Sequence, residues 1–103
     1  MEIKQADDFI QAHLEWRLDP RITIEQIEAA LPGIEDEGES ADGKNDHAWW
    51  FLAGSHECGI WDMRGLRWSA FGPREVFEQL GLTVVGGPDD YAITKQIMQE
   101  TGL

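Results

Sequence analysis

The sequence predicts an α+β fold, a three-stranded antiparallel meander packed with about four helices in the order α-α-β-β-β-α-(β)-α. Three observations predict it. Apolar residues recur at helical spacing near both ends of the chain, beside capping residues. Residues 47–71 switch to short aromatic-rich runs separated by tight turns. The four prolines, Pro20, Pro32, Pro73 and Pro88, fall between these runs. Runs of helices and runs of strands, rather than strict alternation, place the chain in the α+β class.

The first helix is expected from about Asp8 to Leu18, because Ile10, Leu14 and Leu18 repeat every four residues. Asp7 or Asp8 would cap it, and Asp19-Pro20 would end it. The second helix carries the clearest start. Thr23 and Gln26 form a capping box, with Ile22 and Ile27 as the hydrophobic staple, and Pro32-Gly33 stops it. Residues 34–46 read as a flexible, solvated acidic loop, since only Ile34 is worth burying.

The meander follows. Its strands run Ala48–Ala53, Cys58–Asp62 and Leu66–Phe71, with turns at Gly54–Glu57 and Met63–Gly65. Connections this short exclude a parallel crossover. A third helix opens after Gly72, with Pro73 at N1 and Gly81 at C′. Leu82–Val85 reads as a short edge strand. A last helix spans about Asp90 to Glu100 and stops at Gly102.

At 103 residues the chain is one domain, 1–103. It carries 20 acidic and 8 basic residues, a formal net charge of -12. Direct binding to nucleic acid or to an anionic membrane would press this charge against phosphate. A basic protein surface is the expected partner, with solubility alone as the plainer use of the charge. The single cysteine, Cys58, excludes an internal disulfide and fits a reducing cytoplasm. Residues 1–8 hold no apolar run resembling a signal peptide, and no stretch is long enough for a membrane span.

Two features could carry function. The first is the sheet's aromatics. Trp49, Phe51 and Ala53 share one face of the first strand, and Trp50 and Leu52 the other. Most such rings are core, but an open face with arginines has the composition of a protein interface, and Trp61, Arg64, Arg67 and Trp68 are its candidates. The second is the acidic loop, with Glu35, Asp36, Glu37, Glu39 and Asp42 as candidate partner-binding residues. A charge run is otherwise a solvated face.

Catalytic and cofactor signatures are weak. His56 and Cys58 share a strand face, and His47 could approach across the hairpin, but structural zinc wants four ligands in paired spacings. No third group orients a His56–Cys58 nucleophile. Gly86-Gly87-Pro88-Asp89-Asp90 precedes a helix but lacks the lysine of a phosphate loop, and its aspartates would repel phosphate. The expected function is therefore non-enzymatic occlusion of a basic, nucleic-acid-handling protein, with no cofactor. Phage-type inhibitors such as anti-CRISPR or anti-restriction nucleic-acid mimics have this size and charge, as do immunity proteins against nuclease toxins. The alternatives are a small-molecule module or enzyme using Arg67, Asp62 and His56 against the aromatic sheet, and a homodimeric assembly module.

Overall fold

A computed structural model describes residues 1–8, 10–38, 45–63 and 66–103. Its elements are β1 (Ile3–Gln5), β2 (Trp16–Leu18), α1 (Ile24–Ala30), β3 (Ala48–Ala53), β4 (His56–Met63), β5 (Leu66–Phe71), α2 (Arg74–Gln79), β6 (Val84–Gly86) and α3 (Tyr91–Thr101). The strands form one antiparallel sheet in the order β1-β3-β4-β5-β2-β6.

The expected meander is present as β3-β4-β5, but it is the centre of a six-stranded sheet, and three helices rather than four stand beside it among the described residues. The expected first helix is the main correction. Its last residues form β2, which inserts between β5 and β6. The reason is tertiary. Leu18, fully buried, fills the core from a strand that hydrogen-bonds on both sides, which a helix cannot do.

The other elements follow local signals. Thr23 caps α1, its hydroxyl accepting from the Gln26 N–H at 3.1 Å, while the Thr23 N–H donates to the Gln26 side chain at 2.8 Å. Pro73 is the N-cap of α2 rather than its first residue. Gly81 follows that helix with φ 76°, a left-handed conformation that glycine adopts without strain. Asp90 stands at the N-cap of α3, but its carboxylate accepts from the Gly87 N–H at 2.7 Å instead of capping the helix.

Strand alternation gives the sheet two apolar faces. On one, Leu18, Trp49, Phe51, Cys58, Ile60, Trp68 and Ala70 pack with Ile27 of α1, Leu31 at its C-cap, and Val76 and Phe77 of α2. The other face carries Trp50, Gly59, Trp61, Ser69 and Phe71, matched across the strands as Trp50↔Gly59, Trp61↔Ser69 and Gly59↔Phe71. Residues 6–8 and 10–15 belong to the link that crosses this second face, because β1 lies at one edge and β2 near the other. That link begins with the Ala6 N–H on the Trp50 carbonyl (3.2 Å), passes His13 edge-on to Phe71 (5.0 Å), and ends with the Glu15 N–H on the Ala70 carbonyl (3.0 Å). Ile10 and Trp61 are buried outside the main cluster, as a smaller second core requires.

Helix α3 is held differently. Its one buried residue is Thr94, whose hydroxyl has no hydrogen-bond partner. Tyr91, one turn earlier, lies against the Arg17 guanidinium at 5.3 Å. Arg17 is itself buried with its Nε unpartnered, and desolvation lowers its pKa.

Candidate functional site

The predicted partner-binding residues separate into distinct environments. Glu39, Asp42 and Arg64 lie outside the described residues. Glu35 and Glu37 are exposed. Asp36 is not a free surface charge. Its Oδ1 accepts from the Gly38 N–H (2.8 Å) and the Ala48 N–H (3.0 Å), and its Oδ2 lies 2.8 Å from His47 Nδ1. Asp36 also bridges to Trp49 through the backbone, and Ile34 is buried, so the beginning of the predicted loop is anchored to β3.

Trp61 and Trp68, read from the sequence as candidate interface residues, are both buried. They retain 6% and 0% of their exposure. Trp68 Nε1–H donates to the Ile22 carbonyl at 2.8 Å, a bond available only inside the fold. Arg67 is half-buried, with its guanidinium 5.2 Å from the Trp68 ring. The half-buried indole on the second face is Trp50, stacked on Trp61 at 5.5 Å and 29°.

Trp50 lines a groove of about 260 Å³ together with Ala6, Asp7, Asp8, Ile10 and Glu37. The edge of β3 builds it. Beyond β1 that edge is taken by two passing segments, Ala6 bonding to Trp50 and the Glu37 N–H to the Ala48 carbonyl (2.8 Å). Carboxylates 29 and 30 residues apart in sequence thus meet at one place. Asp7, Asp8 and Glu37 are exposed, and among the described residues no lysine or arginine lines the groove. Such a site combines negative potential with an aromatic surface, both of which attract a cationic side chain.

A second cleft, of about 280 Å³, is lined by Pro20, Asp46, His47, Asp62, Arg67, Met98 and Leu103. Asp62 is 2% exposed, and its Oδ1 accepts the N–H groups of Asp46 (2.9 Å) and His47 (2.8 Å). The expected grouping of Arg67, Asp62 and His56 is therefore met only in part. His47 takes the place given to His56, which is exposed at the β3–β4 turn. Cys58, two residues on, is buried, and burial pushes its thiol up to about 11, which disfavours the thiolate a nucleophile needs.

Among the described residues, Asp19 and Asp36 are carboxylates tuned downward. The Arg21 guanidinium, bonded at 2.6 and 2.9 Å, holds Asp19 below the usual carboxylate range. Burial pushes Asp36 up, but its bonds from His47, Gly38 and Ala48 outweigh this and leave it low. A carboxyl whose folded pKa is depressed adds stability above its unfolded value, near 4, and loses it as pH falls through the folded value. The melting temperature should therefore fall on acidification below about pH 4. Melts of Asp19→Asn and Asp36→Asn should show a shallower acid decline; an unchanged slope in both would rule these carboxylates out as its source.

A comparison with protein-family models finds no match, and comparisons with curated proteins and with solved structures find none either. Among the described residues no helix is long and apolar enough to cross a membrane.

Proposed function

We propose that this protein is a non-enzymatic acidic binding protein that occludes a positively charged surface of another protein. The observation that carries the reading is the groove in which Asp7, Asp8 and Glu37 gather around Trp50, with no lysine or arginine among its described lining residues. A lysine or arginine of the partner enters it, its charge against the carboxylates and its stem or guanidinium against the indole. The formal charge of -12 steers the encounter, and the groove gives it a fixed point. Proteins that handle nucleic acid display suitable cations, which makes a phage-type inhibitor or an immunity protein against a nuclease toxin the fitting class. The mechanism is mass action on a preformed surface.

The test compares wild type with Asp7→Asn/Asp8→Asn/Glu37→Gln as immobilised baits at low and high salt. Wild type should retain basic proteins at low salt and release them at high salt, and the triple variant should associate with a purified captured partner about tenfold more slowly. Equal association by the variant, or capture indifferent to salt, would overturn the reading.

A further inference from the structure

The cleft at Asp62 and Arg67 holds opposite charges that do not satisfy one another. Arg67 lines it together with Asp62 and Asp46, yet no ion pair joins Arg67 to either carboxylate. Each group is instead fixed from behind. Asp62 is oriented by the two backbone N–H groups on its Oδ1. Arg67 is steadied by the Trp68 ring. His47 is held at Nδ1 by Asp36 and stacks on Trp49 at 6.0 Å and 11°, which leaves Nε2 as the ring nitrogen for an incoming group. Among the described residues the remaining lining is apolar, from Pro20, Met98 and Leu103. Small-molecule sites have this make-up: a modest concavity, an apolar wall and a few polar groups fixed in advance.

We propose that this cleft binds a small zwitterion of the α-amino-acid type. Its carboxylate meets the Arg67 guanidinium and its ammonium meets the Asp62 carboxylate, with Asp46 adding negative potential at that end. An apolar side chain lies against Met98 and Pro20. A ligand with one charge would leave the opposite pole of the cleft unmatched, so both charges are required. Among the described residues this cleft shares no lining residue with the acidic groove, so the inference stands or falls separately from the binding of a basic protein.

The experiment titrates the intact protein with the free amino acids at millimolar concentration, following the His47 ring by NMR and the melting temperature. Each amino acid is paired with its N-acetyl and its carboxamide form. Free apolar amino acids should shift the His47 signals and raise the melting temperature. Each singly charged form should bind at least about tenfold more weakly. Arg67→Met should reduce affinity by a similar factor. Met98→Trp, which fills the cleft without touching a charge, should abolish binding in a protein that still melts cooperatively. No response to any free amino acid, equal affinity for a capped form, or unaltered binding in Arg67→Met would each overturn the proposal.

Discussion

Trp68→Ala is expected to remove about 4 kcal/mol of stability. The ring is completely buried at the centre of β5, in the main core and edge-on to Trp49 at 5.8 Å and 64°. Truncation subtracts the transfer free energy of an indole and leaves a cavity that a sheet hydrogen-bonded on both sides of β5 cannot close. It also deletes the 2.8 Å bond to the Ile22 carbonyl and strands that acceptor inside the fold. A domain of this size has roughly 5–15 kcal/mol in total, so the variant should be partly unfolded near 37 °C. Trp68→Phe keeps most of the packing and loses the hydrogen bond, and should cost about 2 kcal/mol. Urea denaturation of the two variants separates the contributions. A cost below about 1 kcal/mol for Trp68→Ala would place the ring outside the core. The pair also separates stability from recognition, since Trp68→Phe should bind a basic partner as wild type does.

Some of this architecture was written locally. The capping box at Thr23 and Gln26 needs only four residues to specify a helix start, and α1 begins where it says. The strands β3, β4 and β5 are contiguous and joined by short turns, so their order needs no long-range information. Strand β2 was legible but ambiguous. Ile10, Leu14 and Leu18 are four apart, and residues four apart share a face in a helix and in an extended chain alike. The discriminating signal lay in the positions between. Ala12 and Trp16 fill the even places, while Gln11, His13, Glu15 and Arg17 fill the odd ones, a strict period of two from Ile10 to Leu18. Strand β1 had no such signal, since three residues at an edge are defined only by their partner strand.

The two sites were less legible because both depend on register or topology. A four-residue turn at Gly54–Glu57 shifts the pairing of β3 with β4 by two residues. The observed pairing closes at Ala53↔His56 around Gly54 and Ser55, which sets Ala48 opposite Trp61 and brings His47 to Asp62, its carbonyl accepting the Asp62 N–H at 3.2 Å. The wrong histidine followed from two residues of turn length. The acidic groove required more. Asp7 and Glu37 meet only because the chain leaves β1 along one part of the β3 edge and returns beside Ala48, and neither segment encodes the other's path. The half-buried indole was equally hidden, since alternation puts Trp50 and Trp61 on one face without saying where the link from β1 to β2 crosses it.

Gly59→Ala should damage both the fold and the groove, through one contact. A Cβ at Gly59 would sit 2.3 Å from Trp50 Cζ3 and 2.4 Å from Cε3, well inside any permitted separation. The obstruction is the body of a ring stacked on Trp61, so no flexible tip can swing aside. Accommodating the methyl means displacing Trp50 from the sheet, at an expected cost of about 2 kcal/mol. Trp50 also lines the groove between Asp7, Asp8 and Glu37, so the same displacement should weaken capture of a basic partner while leaving every carboxylate in place. Pairing the substitution with Trp50→Leu tests the cause. With the ring removed the clash disappears, so the double variant should be more stable than the sum of the two single losses predicts, with a coupling of about 1 kcal/mol or more in urea melts. Binding should not recover, because the aromatic surface is still missing. Additive losses would show that Trp50 does not lie across Gly59, and the groove would then lose the indole that distinguishes it from an ordinary acidic surface.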